Sequence, residues 1–346
     1  MRSLRLAIAG AGAIGRAHAL RIARTEGCEL VALADPAPAA AALAAGLGVP
    51  RYAQLDELLE RARPDGVILA TPNALHVAGV LECLAAGVPA LVEKPLADQL
   101  ADARRLVDAV AASGVPVLVG HHRRHGAILA RACAVIASGR LGRLVAVSAS
   151  ATFRKPDSYF EQGPWRREPG GGPILINLVH EIDSLRAMVG EIVEVQALAS
   201  NAARGFAVED TVAVGLRFAG GVLGTFVLSD AAAGPCSWEQ TSGEDPRYDH
   251  HGDVDCCVVA GTRGTLMVPT MRLFSHDGES SWWLPLARSR EALPEVDPLA
   301  RQLAHFAAVV RREAAPLVTV DDAARTLAAT LAVAEAARSG ERVTLH

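Results

Sequence analysis

The stretch LRLAIAGAGAIG, residues 4–15, decides the fold of the N-terminal part of this chain. Its apolar beginning, residues 4–9, predicts a short buried strand, and residues 16–24 continue with helical spacing. A GxGxxG pattern placed between a strand and a helix is typical of a turn that binds the pyrophosphate of a dinucleotide. The stretch therefore predicts a Rossmann-type unit at the start of the chain.

Each glycine of this pattern has a separate expected task. Gly10 allows the tight turn, Gly12 lets a phosphate approach the backbone, and Gly15 lets the helix pack closely on the strand. The first residues of the helix offer N–H groups and the positive end of the helix dipole to an anion. The cofactor-binding residues expected in the loop are therefore Gly10, Gly12, Ala13, Ile14 and Gly15.

An acidic residue at the end of the next strand indicates which dinucleotide binds. Asp35 follows the apolar run 29–34 at the distance expected of the residue that accepts both ribose hydroxyls. Its charge would repel a 2′-phosphate, so we expect NAD rather than NADP as cofactor. A basic group such as Arg51 would be the means of accepting NADP instead.

Strands and helices alternate through the first third of the chain, which predicts a doubly wound parallel sheet. Ligands of such sheets bind beyond the carboxyl ends of the strands, so the loops after strands carry function. The predicted strands after the first two span residues 66–70, 90–93 and 115–119, and the helices between them span 54–62, 75–86 and 98–112.

Two of these loops carry polar side chains suited to the cofactor and to the reaction. Lys94 ends an apolar strand and precedes a proline, which fixes its backbone while its ammonium reaches beyond the sheet. His76 is expected either to contact the cofactor or to be a capping or surface histidine of its helix. The further cofactor contacts expected in these loops are Thr71, Pro72, Asn73 and Glu93, together with Lys94.

The order and spacing of GAGAIG, the strand-end aspartate, TPN with a histidine three residues later, and EKP resemble the Gfo/Idh/MocA oxidoreductases. The resemblance extends over essentially the whole chain, and EKP is its most diagnostic element. It implies a Rossmann domain, residues 1–122, and a substrate-binding and oligomerisation domain, residues 123–346. The second domain is expected to be an open-faced, mostly antiparallel sheet covered on one face by helices, with the last helices packing back on the first domain.

A helix after the glycine cluster 170–172 carries the second chemical group. Ile176, Asn177 and His180 lie on or beside one stripe of a regular helix from about Ile174 to Val189, and an imidazole there can exchange a proton near neutral pH. The resemblance implies that His180 is catalytic. It also implies an aspartate at the position of Ile176, which can neither ionise nor hydrogen-bond. We therefore expect a partly apolar substrate, such as a cyclic diol or a hydroxy acid.

Other side chains after the first sheet are candidates for substrate contact. Trp165 and Arg166 can stack on and hydrogen-bond a polyol or carboxylate, or can pack at the rim of the site. His122 and Arg123 follow the last strand of the predicted parallel sheet. The expected substrate contacts are Lys94, His122, Arg123, Trp165, Arg166, Ile176, Asn177 and His180.

Composition narrows the class of protein. The chain of 346 residues is 51% hydrophobic, its net charge is −4, and its basic residues are scattered, which disfavours nucleic acid and favours a small-molecule partner. Six cysteines without a CxxC pair predict reduced thiols in a cytoplasmic protein, and we expect no membrane segment. His250, His251, Asp253 and Asp255 lack metal-ligand spacing, so no metal is expected. The resemblance implies a homodimer or homotetramer formed through the open sheet face.

These features together predict an NAD-dependent oxidoreductase. Hydride would pass between nicotinamide and a secondary alcohol or ketone of a sugar-like, cyclic polyol or hydroxylated ring substrate, with Lys94 and His180 as catalytic residues. Two alternatives stay open at this point. One is an NAD-dependent glycosidase that oxidises a sugar transiently, and the other is a non-catalytic sensor that responds to NAD.

Overall fold

A computed structural model describes residues 2–345 of the chain, which form two compact units. The first unit comprises Met1–His125 and Pro298–Leu327, and the second comprises Gly126–Asp297 and Ala328–His346. The division into a Rossmann domain, residues 1–122, and a second domain, residues 123–346, stays a prediction. Each unit is organised around one sheet.

The first unit contains a six-stranded sheet whose strands are all parallel, as predicted. Its order, β3-β2-β1-β4-β5-β6, is that of the Rossmann fold. The elements are β1 Leu4–Ala9, α1 Ala13–Ile22, β2 Cys28–Ala34, α2 Ala39–Leu47, β3 Arg51–Tyr52, α3 Leu55–Ala62, β4 Gly66–Leu69, α4 His76–Ala85, β5 Ala90–Glu93, α5 Leu100–Ser113 and β6 Val117–Gly120.

The second unit contains a nine-stranded sheet of order β14-β13-β12-β11-β7-β10-β9-β8-β15. Only β7 and β10 pair in parallel, so the predicted mostly antiparallel sheet is confirmed. The elements are α6 Ala127–Ala137, β7 Leu144–Thr152, α7 Asp157–Glu161, α8 Val179–Val189, β8 Ile192–Ser200, β9 Thr211–Phe218, β10 Leu223–Ser229, α9 Trp238–Ser242, β11 Cys257–Gly261, β12 Gly264–Val268, β13 Arg272–Ser275, β14 Ala287–Arg290, α10 Pro298–Val310, α11 Val320–Ser339 and β15 Val343–Thr344, of which α10 belongs to the first unit.

The core of the first unit lies between the sheet and its flanking helices. Leu6, Ile8 and Ile68 of the central strands are fully buried with Phe306 of α10. Gly66 has a packing reason, because a β-carbon there would lie 2.9 Å from Val310 and would also press on Leu6 and Phe306. Helix α10 therefore packs on the N-terminal sheet although it comes late in the chain.

The sheet of the second unit is covered on one face only. Along β10, buried residues such as Phe226 alternate with exposed ones such as Val227, which is the pattern of a strand with one solvated face. The buried face packs against residues of α6, α8 and the last turns of α11. The opposite face exposes Leu198 (76%) and Leu223 (52%), a large apolar area for a protein surface.

Some elements depart from the sequence-based expectation. The first turn of the helix expected from Ile174 is a π-helix, Ile174–Leu178, and the α-helix begins only at Val179. Trp282 and Trp283 are 88% and 81% exposed, and their rings contact each other. The short strands β3 and β14 were missed because they have too few residues to show a period.

A buried histidine makes the stability of the first unit depend on pH. Burial, assisted by the nearby His305 and Arg301, lowers the pKa of His125 to about 3 from an ordinary value of 6.5. Between these values the unfolded chain binds a proton that the folded chain does not. We therefore expect the free energy of unfolding to be highest above pH 6.5 and to fall as the pH decreases toward 3, by at most about 1.4 kcal/mol per pH unit from this group.

Urea denaturation between pH 7.5 and 4.5 tests this expectation. His125→Phe keeps a ring against His305 and should flatten the dependence, whereas the control His276→Gln should leave it unchanged. Equal slopes for the wild type and His125→Phe would contradict the assignment.

Candidate active site

The glycine loop of the first unit is shaped by close packing at two of its glycines. Gly10 has φ +100°, and a β-carbon there would lie 2.3 Å from the carbonyl oxygen of Ala70. A β-carbon on Gly15 would lie 2.0 Å from the carbonyl oxygen of Gly10. Only glycine fits at either position, so helix α1 can begin directly against the end of β1.

Gly12 has a different environment. Nothing lies within 4 Å of the position that its β-carbon would take, and no side chain caps the start of α1. The first N–H groups of α1 therefore have no side-chain acceptor at the helix start and can donate to a phosphate that approaches beside Gly12. At the end of the neighbouring strand the buried hydroxyl of Thr71 has no hydrogen-bond partner. These features fit a bound dinucleotide.

Asp35 lies beside this loop at the end of β2. Its carboxylate accepts hydrogen bonds from the backbone N–H of Ala11, at 2.7 Å, and from that of Ala37, at 2.8 Å. Arg51 donates to the carbonyl oxygens of Asp35 and Pro36, at 3.0 and 2.8 Å. The residue expected to bind ribose is thus held by the glycine loop, and the basic group that would favour NADP lies next to it.

His76 connects two of the predicted loops. Its Nδ1 lies 2.7 Å from the carbonyl oxygen of Pro95, and its Nε2 lies 2.9 Å from that of Thr71. The side chain is buried, so the alternative of a surface histidine is wrong. Burial lowers the pKa of His76, although the two carbonyl contacts oppose this effect. The histidine holds the loop after β4 against the loop after β5; a contact with cofactor stays a prediction.

Glu93 is anchored from another helix. Its Oε1 lies 2.8 Å from Nε2 of His18 in α1, and both side chains are buried. A carboxylate only accepts, so Nε2 carries the hydrogen. Burial alone would raise the pKa of Glu93, but the hydrogen bond from His18 and the electrostatic interactions with His18, His122 and Lys94 lower it. His18 was missed from the sequence; a polar residue on the buried face of α1 was its only signal.

Lys94 therefore lies between two fixed neighbours. Glu93 before it is held by His18, and Pro95 after it is held by His76. Lys94 itself is half-buried at the carboxyl end of β5, where the sequence placed it. Two helices thus fix the backbone from which the expected catalytic amine extends.

His122 and Arg123 lie in a short 3₁₀-helix, His122–His125, that follows β6. His122 is half-buried, whereas Arg123 is buried. Glu93 and Gly120 are paired in the register of β5 and β6, so this segment begins at the same edge of the sheet as Lys94. Contact of either residue with substrate stays a prediction.

In the second unit, two glycines of the cluster 170–172 are closely packed. A β-carbon on Gly171 would lie 2.3 Å from the carbonyl oxygen of Trp165, and one on Gly172 would lie 2.3 Å from the carboxylate of Glu209. Glu209 in turn accepts a hydrogen bond from the N–H of Ile174, where the π-helix begins. The glycines bring the Trp165 loop and Glu209 close to the start of the predicted catalytic helix.

The π-helix changes the expected alignment on that helix. His180 lies in the first turn of α8 and is half-buried, and the hydroxyl of Ser184 donates to its carbonyl oxygen at 2.9 Å. Ile176 and Asn177 lie in the π-helical turn. A π-helix closes its hydrogen bonds over five residues rather than four, so the regular α-helix expected from Ile174 is wrong for this turn, and the shared stripe of Ile176 and His180 stays a prediction. Such turns occur frequently at functional sites.

Asn177 belongs to a polar network that the sequence did not reveal. The amine of Lys155 donates to its Oδ1 at 2.7 Å and forms an ion pair with Asp230 at 3.2 Å. Arg204 also pairs with Asp230, at 2.9 Å. Arg166 lies 3.8 Å from the centre of the Tyr159 ring and donates to the carbonyl oxygen of Tyr159 at 2.5 Å. Lys155 lies in the polar, turn-rich segment 154–159, whose sequence does not indicate these partners.

The residues once considered for a metal are engaged otherwise. Asp255 accepts hydrogen bonds from the N–H of Thr270 and from Arg272, and His250 lies 3.2 Å from the carbonyl oxygen of Thr241. Within residues 2–345, no group of three or more His, Cys, Asp or Glu side chains is arranged to hold a metal ion. In the same residues, no helix is long and apolar enough to cross a membrane.

A Rossmann unit with an open glycine loop, in one chain with an open-faced sheet unit, defines a nucleotide-dependent oxidoreductase. Residues 4–121 match the model of an oxidoreductase family with an NAD-binding Rossmann fold, and residues 129–267 match the Gfo/Idh/MocA C-terminal domain. The chain belongs to the Gfo/Idh/MocA family, as the sequence motifs predicted.

Individual relatives extend over nearly the full length. The chain is 31% identical to 1,5-anhydro-D-fructose reductase of Ensifer adhaerens over 97% of both chains. Its structure is similar to the WlbA dehydrogenase of Bordetella pertussis, solved with NADH and UDP-GlcNAcA, with a TM-score of 0.80, 25% identity and coverage of 100% and 99%. It is also similar to a myo-inositol dehydrogenase from Corynebacterium glutamicum, with a TM-score of 0.75, 27% identity and 99% coverage of both chains.

The glycine loop yields a matched pair of variants. Gly12→Ala places a methyl group in open space, so we expect a folded protein with at least tenfold weaker binding of NAD(H). Gly15→Ala forces a clash with the Gly10 carbonyl, so we expect a loss of stability on the order of 2 kcal/mol or more. Fluorescence titration with NADH and thermal unfolding measure the two effects. A Gly12→Ala protein that binds NADH normally would show that the open space is not the pyrophosphate site.

Proposed function

We propose that this protein is an NAD-dependent oxidoreductase acting on a secondary alcohol, or the corresponding ketone, of a sugar-like, cyclic polyol or hydroxylated ring substrate. One observation carries this proposal. Two buried histidines, His18 and His76, hold the residues on either side of Lys94 at the carboxyl end of strand β5 in the Rossmann unit. Family membership supports the reaction class. The similarity to a 1,5-anhydro-D-fructose reductase and to a myo-inositol dehydrogenase supports the substrate class.

Lys94 has the chemistry needed at the reacting oxygen. In the oxidative direction its ammonium donates a hydrogen bond to the substrate hydroxyl and stabilises the developing alkoxide. His180 accepts the proton, directly, through Lys94 or through water. A bound NAD would supply the hydride acceptor for the substrate carbon. The protein contributes the position and charge of these groups, and the anchoring of Glu93 and Pro95 supplies that position for Lys94.

The residues around the glycine loop support NAD as the cofactor. Asp35 presents a carboxylate where the ribose hydroxyls of NAD would bind, and a 2′-phosphate there would meet that negative charge. Arg51 donates to the carbonyl oxygens of the same turn, so its guanidinium is committed to the loop. Ala13, Ile14, Thr71, Pro72 and Asn73 complete the proposed cofactor contacts.

Replacement of Lys94 tests the proposed chemistry. Lys94→Ala should lower turnover by about 10²–10³-fold, because a donor to the developing oxyanion is lost, while NAD binding stays close to normal. Absorbance of NADH and release of nitrophenol are followed over a panel of cyclic polyols, sugars, nitrophenyl glycosides and hydroxy acids, with NAD and NADP side by side. Arg104→Ala removes an exposed cation of α5 and serves as the control.

Three outcomes of this assay would count against the proposal. Near-normal turnover of Lys94→Ala would refute the role of the lysine. Release of an aglycone without net NADH would indicate the glycosidase reaction, and NAD binding without turnover of any alcohol would indicate a sensor.

The open sheet face of the second unit is the proposed surface for a second copy of this chain. Leu198, Leu223, Val227 and Val145 are exposed on β8, β10 and β7, and burying them would remove apolar surface from water. We expect a homodimer or homotetramer by light scattering. Leu198→Glu should shift the protein toward the monomer, whereas Arg104→Glu should not. A wild type that is monomeric at micromolar concentration would contradict this arrangement.

A further inference from the structure

Lysine is scarce in this chain, which has 34 basic residues but only two lysines, Lys94 and Lys155. Each is followed by a proline. Nearly all basic residues of the chain are arginines, so the presence of a lysine at position 155 requires a specific reason. The side chain of Lys155 is only 11% exposed, and a buried ammonium is costly unless it is paired.

The contacts of Lys155 orient Asn177. An ammonium has hydrogen-bond donors and no acceptor, so the Asn177 amide must direct its oxygen to Lys155. The Nδ2 group of Asn177 then points away and offers two donors. The Asn177 side chain makes no other polar contact among residues 2–345, and it is only partly buried. The residue beside Ile176 therefore presents a donor where the family resemblance implies a carboxylate.

The cations near this donor are not all paired with carboxylates. The buried carboxylate of Asp230 is shared between Lys155 and Arg204. Arg166 has no acidic partner within the described residues and rests on the Tyr159 ring, 3.8 Å from its centre. The amine of Lys155 lies 4.9 Å from the same ring centre. Tyr159 thus connects two cations, and only one of them is paired with a carboxylate.

Two other carboxylates lie in the neighbourhood. Glu209 accepts the N–H of Ile174, and burial raises its pKa, although that hydrogen bond opposes the effect. Asp157 lies 3.7 Å from Arg204 but is 79% exposed. Burial lowers the pKa of Lys155, and Asp230 opposes that effect; a further anion nearby would also favour the charged amine. The environment therefore suits a bound anion better than an array of neutral hydroxyl groups.

We propose that Asn177, Arg166 and Lys155 form a donor patch that binds a carboxylate of the substrate, so that the alcohol oxidised belongs to a hydroxy acid. Asn177 Nδ2 and the Arg166 guanidinium make the contacts, and Lys155 is the positioning residue that orients Asn177 and adds charge. This proposal rests on the proposed function and narrows its substrate class. It does not depend on the direction of the reaction.

The test compares probes that differ only in the charge of one group. Quinate is paired with its carboxamide, and cis-4-hydroxycyclohexanecarboxylate with its carboxamide. Rates of NADH formation and calorimetric binding to the NAD-loaded protein are measured for each pair. We expect kcat/KM and affinity to favour the acid by at least tenfold in the wild type.

Two variants and a control separate the patch from general effects. Asn177→Asp keeps an acceptor for Lys155 but replaces the outward donor by a carboxylate, so the preference for acids should fall at least tenfold, mainly through KM. Lys155→Met should lower the same preference if it folds. Arg217→Gln removes an exposed cation that pairs with Glu194 elsewhere in this unit and should change nothing.

The possible results are decisive in both directions. Turnover that depends on Lys94 but is equal for acids and amides would overturn this proposal and leave the proposed function standing. An acid preference that survives in Asn177→Asp would also overturn it. If no probe is turned over, the binding measurements decide. Tighter binding of the acids by the wild type, lost in Asn177→Asp, supports the donor patch. Equal affinity for acid and amide overturns it, and so does the absence of measurable binding of either probe.

Discussion

The arrangement of the first unit depends on how one buried carboxylate is satisfied. Glu93 lies at the end of a central strand, where an unpaired charge would cost several kcal/mol. His18 supplies the partner from α1, the same helix whose start faces the proposed pyrophosphate site. One hydrogen bond thus links the helix that would hold the cofactor to the segment that carries Lys94. Any movement of either element would break that pairing.

The second unit solves a related problem differently. Asp230 is buried and is shared by two cations, of which Lys155 also determines the orientation of Asn177. Lys155 therefore both neutralises the charge of Asp230 and orients the amide of Asn177. The proposed donor patch would therefore be sensitive to the charge of its ligand, because its donors are held in place by protein contacts. The π-helical turn that contains Asn177 gives that residue a different direction from the one a regular helix would give.

The parts of the fold that were predictable are those with a strong local period or a glycine requirement. The parallel sheet, the glycine loop and the end of β5 at Glu93 follow from apolar runs, turn residues and the GxGxxG pattern. Short elements such as β3 and α7 have no period to detect. The late helix α10 joins the first sheet through contacts such as that of Phe306 with Gly66, which no local pattern specifies.

By itself the sequence determined the family and the types of sheet. It also identified Lys94 and His180 as the proposed catalytic residues, because motifs consist of residues that are close together in the sequence. Only the tertiary structure decided what surrounds them. His18 is 75 positions from Glu93, and Lys155 is 22 positions from Asn177. Buried polar groups find their partners in space, and the composition of one segment does not reveal the acceptor that another segment will bring to it.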